Sequence, residues 1–275
     1  MTRTISLAPL TVLELPPAEM VGCAAEAGYR CLGLRLAPVL PHVPLQYPII
    51  GERELLRDLL KRIDDSGIRI LDVEFIRLAP DTRISEYVPM LETGARLGAQ
   101  HVLAGGADPE EQRLIENFGR LCEAAAAVGL AVNLEPIPMF ELGTVAKAAR
   151  VLWAVDQPNS GIVIDPIHFD RAEEKFETLA TVPKQWLRYM QFCDAPAERP
   201  DKEGMQFQAR FERKIPGEGG LDLIGLLRAM PRDIPIALEV PMSEMAKTVG
   251  AVERARRLRT ATEDLLDKLD GEPGR

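Results

Sequence analysis

Residues 110–136 read EEQRLIENFGRLCEAAAAVGLAVNLEP. Glu110–Val128 carries the apolar spacing of an amphipathic helix, and Gly129 stands just past it, where a left-handed C-cap is expected. Ala131–Leu134 is a short apolar run of strand length, and Glu135-Pro136 ends it. The segment therefore reads as helix, glycine stop, buried parallel strand, and a polar residue where the strand finishes.

The same unit recurs along the chain. Gly28-Tyr29, Gly67-Ile68, Gly98-Ala99 and Gly129-Leu130 each lead from a helical stretch into an apolar run. The expected helices cover Pro17–Ala27, Glu52–Asp65, Ser85–Leu97, Glu110–Val128 and Thr144–Val155. The expected strands cover Thr4–Leu7, Cys31–Leu36, Ile68–Phe75, His101–Leu103, Ala131–Leu134, Gly161–Ile164, Tyr189–Phe192 and Ile234–Val240. Eight such units in 275 residues fit a single (β/α)₈ barrel, which takes about 250 residues. An open doubly wound sheet is the rival. It lacks support, because no glycine-rich phosphate loop follows the first strand. Pro216-Gly217-Glu218-Gly219-Gly220 comes late and opens no strand–helix pair in that manner. No linker or low-complexity block divides the chain, so residues 1–275 are expected to form one domain. A long amphipathic helix is expected from Ser243 to 270, and Gly271–Arg275 is expected to fray.

Composition narrows the function classes. Apolar residues make up 46% and charged residues 27%, while aromatics are only 5%, so aliphatic side chains must fill the core. A net charge of −9 argues against nucleic-acid or anionic-membrane partners, which call for a basic surface. No apolar stretch approaches the roughly 20 residues that cross a bilayer, and no secretory leader opens the sequence. Cys23, Cys31, Cys122 and Cys193 form no CxxC pair, which suits a cytoplasmic location.

The most informative residues are polar ones at the ends of apolar runs. Leu134 leads into Glu135, Ile164 into Asp165, Met190 into Gln191, and Leu238 into Glu239. They are separated by 30, 26 and 48 residues, against about 25–35 for one βα unit of a barrel; the last gap holds the Pro-Gly loop. Each acid taken alone could simply cap the following helix. Four polar residues at successive strand ends converge on one side of the barrel mouth, and three carboxylates crowded there call for a divalent cation. Oxygen donors favour Mg²⁺ or Mn²⁺ over zinc.

In these residues the chain resembles the xylose isomerase-like barrels, a superfamily of sugar isomerases, ketose 3-epimerases, inosose dehydratases, 3-dehydroshikimate dehydratases and family 2 AP endonucleases. The resemblance is most specific from Leu134 to Pro241. It lies in Glu135, Asp165-Pro166-Ile167-His168, Gln191, Arg213-Lys214-Ile215-Pro216-Gly217-Glu218-Gly219 and Glu239. It implies that Glu135, Asp165, Gln191 and Glu239 bind one divalent metal ion, Mg²⁺ or Mn²⁺, and that His168 and Arg213 face substrate. It also implies that Glu135 and Glu239 move protons. Two departures stand out. Gln191 replaces the histidine usual in the isomerases and epimerases, and Gln191 with Asp194-Ala195-Pro196 is similar to the bacterial 3-dehydroshikimate dehydratases. Arg35 stands where the second strand usually ends near a glutamate. The DNA-repair branch needs further histidine ligands, which a chain holding only His42, His101 and His168 cannot supply.

Other residues are assigned by position. His168 is a candidate for catalysis or substrate binding, and His101, opening the fourth strand at the opposite face, reads as structural. His42 falls in a proline-rich loop and is expected to pack there. Arg77 ends the third strand, and Arg210 and Arg213 precede the Pro-Gly loop. All three sit where an anionic or polyhydroxy substrate would lie. Both His168 and Arg213 are expected at surface-like positions that contribute little to folding. Cys193 is expected to be core packing. The function expected is proton abstraction next to the carbonyl of a small polyhydroxylated sugar, keto-sugar or cyclitol, giving isomerisation or epimerisation. If a β-hydroxyl leaves instead, the same site is a dehydratase. A metal-binding barrel without catalysis is the third reading. The chain could act alone or as a homo-oligomer.

Overall fold

The computed structural model describes residues 3–39 and 43–271. Eight parallel strands close on themselves in sequence order, each bonded to the next and the last to the first. They are β1 (Ile5–Leu7), β2 (Cys31–Arg35), β3 (Arg69–Leu78), β4 (His101–Gly106), β5 (Ala131–Glu135), β6 (Ser160–Ile164), β7 (Leu187–Phe192) and β8 (Ile236–Leu238). The barrel is the expected (β/α)₈ fold. The main differences lie in the third and fourth strands, which run on past Phe75 and Leu103, and in the eighth, which is shorter than Ile234–Val240.

The helices follow from local chemistry. α1 (Pro17–Glu26) starts on a proline, whose missing N–H costs nothing there. α2 covers Arg53–Ser66 and α3 Val88–Arg96, the latter entered through a 3₁₀ turn at Ile84–Tyr87. α4 (Glu111–Ala126) is capped by the Glu110 carboxylate, which accepts from the Arg113 N–H, and α5 (Val145–Val155) by the Thr144 hydroxyl. Gly28, Gly67, Gly98 and Gly129 all hold positive φ, the left-handed stop read from sequence. Four short helices follow: α6 (Pro166–Arg171), α7 (Phe176–Leu179), α8 (Lys202–Phe211) and α9 (Leu223–Ala229). The C-terminal helix is broken into α10 (Ser243–Ala246) and α11 (Ala251–Asp270), with Gly250 at the N-cap of the second. Of the stretch expected to fray, residues 272–275 lie outside the described residues, as does His42.

Most of the core lies between strands and helices, where Leu32, Val102, Leu134 and Ile162 meet residues such as Phe118 and Leu121. A smaller cluster that includes Leu71, Leu103, Val163 and Tyr189 gathers separately. Tyr189 stacks on His101 at 5.2 Å, and burial lowers His101 to about 4, so it is neutral and structural, as expected. Above them Asp72 is buried, with the Tyr189 hydroxyl donating to it at 3.5 Å. Burial, then the nearby Glu74 and Glu239, raise the Asp72 carboxyl well above the usual range.

Two outcomes follow from this packing. Gly22 lies on the exposed side of α1 with open space around its Cα, whereas a Cβ at Gly161 would meet Asn133 Oδ1 at 2.3 Å. Gly22→Ala should stabilise the fold by about 0.5–1 kcal/mol, and Gly161→Ala should destabilise it by about 1–3 kcal/mol; denaturant unfolding checks both. A raised carboxyl contributes stability that is present below its unfolded value and lost as pH rises through its folded one. Asp72→Asn removes that loss. In melts across pH 4–9 the variant should therefore gain on the parent with rising pH, by up to about 1.4 kcal/mol per unit. A constant difference would mean that Asp72 is ionised throughout.

Candidate active site

Glu135 ends β5 and pairs in register with Gly105 of β4. Asp165 follows β6 and caps α6, its Oδ1 accepting the Ile167 N–H at 3.0 Å. The capping role and a site role coexist in this residue, because its other oxygen accepts from Arg213 Nη1 at 2.7 Å. The first turn of α6 returns His168 beside Glu135, with Nε2 3.9 Å from Glu135 Oε1. One ligand atom from each of Glu135, Asp165 and His168 lies within 4.8 Å of the others, and all three residues are buried.

Gln191 on β7 and Glu239 beyond β8 complete the group. Gln191 donates from Nε2 to Glu239 Oε1 at 3.0 Å, which leaves Gln191 Oε1 buried without a hydrogen-bond partner. Glu135 Oε1 is likewise buried and unpartnered. The four residues expected as ligands are thus all buried in one region of the barrel mouth.

Arg213 is the correction. It was expected at a surface-like position, yet it is only 2% exposed and sits between two of the acids. Nη2 meets Glu239 Oε2 at 2.8 Å, Nη1 meets Asp165 Oδ2 at 2.7 Å, and Nε donates to the Ala209 carbonyl at 3.1 Å. Removing one partner of such a buried pair costs about 3–5 kcal/mol, so Arg213 is a part of the fold as well as of the site. His168, 5% exposed, is not surface-like either.

The loop that delivers Arg213 is folded around Asp194. The backbones of Asp194 and Lys214 exchange hydrogen bonds at 3.0 and 2.8 Å. The Asp194 carboxylate accepts from the N–H groups of Ala195, Gly217, Gly219 and Leu221. A Cβ at Gly219 would lie 2.2 Å from Asp194 Oδ1, and Gly217 holds φ +89°. These contacts explain the glycines of the Pro-Gly loop.

Across the mouth Arg35 donates from Nε to Glu74 Oε1 at 2.9 Å, while Glu74 Oε2 is buried without a partner. Glu74 and Asp72 were missed in the sequence. Their signal was two acids at alternate positions inside the otherwise apolar Leu71–Ile76. Arg35, Glu74, Glu135, His168, Arg213 and Glu239 line a cavity of about 970 Å³. Arg210 is exposed at its edge. Arg77 lies outside it, over the Phe140 ring at 5.6 Å. Cys193 packs between Asp165 and Arg213, and burial pushes its thiol well above the usual range, in keeping with a packing role.

Electrostatics separate the acids. Burial, then Asp165 and Glu239, raise Glu135 well above the carboxylate range. Burial works against charge on Asp165 too, but Arg213 and the Ile167 N–H outweigh it and hold the carboxyl low. Burial pushes Glu239 up to about 7 against the pull of Arg213. His168 is lowered to about 4 by burial and is neutral at physiological pH.

Residues 21–262 match the family model described as xylose isomerase-like TIM barrel. A stretch of 200 residues, 67% of this chain, is 28% identical to a 3-dehydroshikimate dehydratase of Pseudomonas aeruginosa, of which it covers 31%. The chain thus spans under a third of that protein's length. Over 199 residues it is 24% identical to an inosose isomerase of Bacillus subtilis, covering 67% of this chain and 69% of that protein. Among solved structures, the IolI protein with a bound zinc atom superposes with a TM-score of 0.77 at 20% identity, over 98% of this chain and 100% of that one. A D-allulose 3-epimerase from Methylomonas gives 0.69 at 14% identity, over 97% and 98%. Likeness at these identities is a likeness of fold. With the family model matched from α1 to α11 on a closed eight-stranded barrel, the chain belongs to the xylose isomerase-like TIM barrel family.

Proposed function

We propose that this chain is a divalent-metal-dependent isomerase or epimerase that moves a proton next to the carbonyl of a polyhydroxylated sugar, keto-sugar or cyclitol. The observation that carries the reading is the meeting of Glu135, Asp165 and His168 ligand atoms within 4.8 Å. Glu239 and an amide oxygen without a partner stand alongside. Glu135, Asp165 and Glu239 are crowded together while Arg213 reaches only Asp165 and Glu239, and the buried oxygens of Glu135 and Gln191 that lack hydrogen-bond partners are hard donors. That donor set fits one divalent cation, Mg²⁺ or Mn²⁺, held by Glu135 and Asp165 with Gln191 and Glu239 from β7 and the end of β8, and with His168 standing within reach of the first two. When bound, the ion supplies Lewis-acid stabilisation of the oxyanion that develops as the proton leaves carbon.

The chain's own groups supply the rest. Glu239, buried and held by Arg213 and Gln191, stands as the general base. Glu135 stands as the second carboxylate for proton return. Neutral His168 serves as a hydrogen-bonding partner for a substrate oxygen or as the alternative proton donor. Arg213 fixes the orientation of Glu239 and Asp165, and Arg210 stands at the mouth for an outer oxygen or anionic group. Arg77 has no direct part in this reading. A dehydratase of the 3-dehydroshikimate or inosose type is the second reading, in which a β-hydroxyl leaves after the same proton abstraction. It is favoured by Gln191 followed by Asp194-Ala195-Pro196 and by the Pseudomonas relative's name. The absence of any membrane-crossing helix among the described residues is compatible with the proposed cytoplasmic setting.

After chelation and re-addition of Mn²⁺, the parent should retain about one ion per chain and Glu239→Ala distinctly less. Gln191→His should keep or tighten binding, since imidazole nitrogen is a stronger donor than an amide oxygen. Equal metal content in Glu239→Ala and the parent would overturn the ligand assignment. A second measurement follows NMR signals of inososes, ketohexoses and 3-dehydroshikimate in D₂O. The parent should exchange the proton next to the carbonyl on at least one of them and convert it. Glu239→Gln should slow exchange on the order of a hundredfold; an unchanged rate would remove Glu239 as the base.

A further inference from the structure

Beyond the strand-end groups the cavity lining is mostly apolar, with Gln46, Tyr47 and Arg210 among its remaining polar residues. The floor holds Glu74, Glu135, Glu239, His168, Arg35 and Arg213. The walls are built by Leu13 after β1, Met139 and Phe140 after β5, Phe211 at the end of α8, and Met242 after β8. Leu13, Met139 and Phe140 are only partly buried, and Phe211 is 50% exposed. Several polar groups that reach the walls are engaged elsewhere. Thr11 donates to the Leu238 carbonyl, Ser243 to the Phe211 carbonyl, Lys247 pairs with Glu244, and Arg254 with Glu14.

A free sugar carries a hydroxyl on nearly every carbon. Each hydroxyl pressed against an apolar wall without a partner costs about 1–3 kcal/mol. The cavity, about 970 Å³, lies at the upper end of the ~300–1,000 Å³ span of sites that enclose drug-sized ligands. A lone sugar would fill the floor and leave the walls wet. We propose that the substrate is bipartite: a polyhydroxylated carbonyl group occupies the floor, and an attached apolar substituent of about aryl size lies against Phe140, Phe211 and Met242. This inference rests on the proposed site chemistry for the polar half and on the wall residues alone for the apolar half.

The test titrates the Mn²⁺-loaded and the chelated chain by calorimetry with phenyl β-D-glucopyranoside and methyl β-D-glucopyranoside, unreactive stand-ins that differ only in the substituent. The phenyl compound should bind at least about tenfold more tightly, as burial of part of a ring predicts. Phe211→Ser and Met139→Gln should each cut that ratio several-fold while leaving Mn²⁺ content unchanged. Phe207→Ser, whose ring is exposed beside Phe211 but outside the cavity, should leave the ratio as it is. Equal affinities, no binding of either compound, or a ratio indifferent to both wall variants would overturn the bipartite substrate. A phenyl preference that persists in a chain unable to hold Mn²⁺ would instead overturn the metal reading and leave this one standing.

Discussion

One buried guanidinium makes the mouth of this barrel tenable. Glu135, Asp165 and Glu239 stand at the ends of β5, β6 and β8, and without a cation their repulsion and desolvation would oppose closure of the barrel around them. Arg213 reaches Asp165 and Glu239 together and links the ends of β6 and β8 across the intervening β7. It also accounts for much of the spread of the acids: Asp165, which receives Nη1, is held low, while Glu135, not directly paired, is high. The same side chain is therefore a structural tie and a reason that Glu135 and Asp165 differ, while Glu239, paired with it as well, is raised by burial and by Glu74 and Asp165.

Arg213 in turn depends on Asp194. A carboxylate that accepts four backbone N–H groups fixes the turn that follows, and the paired backbones of Asp194 and Lys214 set where the preceding residue points. The order of dependence runs from a loop with no site atoms, through a buried arginine, to the carboxylates. It explains why glycines at 217 and 219 matter to a centre that they do not touch.

Much of this was legible in the sequence, for physical reasons that can be named. The glycine stops could be read because only a left-handed residue ends a helix in that way. Glu135, Asp165, Gln191 and Glu239 could be read because each interrupts an apolar run at its end. Asp72 and Glu74 escaped because they lie inside a run that reads as strand, where alternation in a barrel buries both faces. The burial of Arg213 escaped because its partners stand 48 residues before it and 26 after; sequence distance hides a pair that strand closure makes adjacent. The break between α10 and α11 escaped because the apolar spacing continues on both sides of Gly250.

The walls of the cavity come from loops after β1, β5 and β8 and from α8, while the floor is fixed by strand ends and by Arg213. The loop after β8 is tied to the floor by its backbone, the Arg213 N–H donating to the Pro241 carbonyl at 2.8 Å, so it is the side chains of these segments that are free to vary. Substitution along them can change which molecules are admitted while the proton-handling groups keep their places. A lineage built on this scaffold is free to acquire new selectivities one loop at a time, with its chemistry inherited intact.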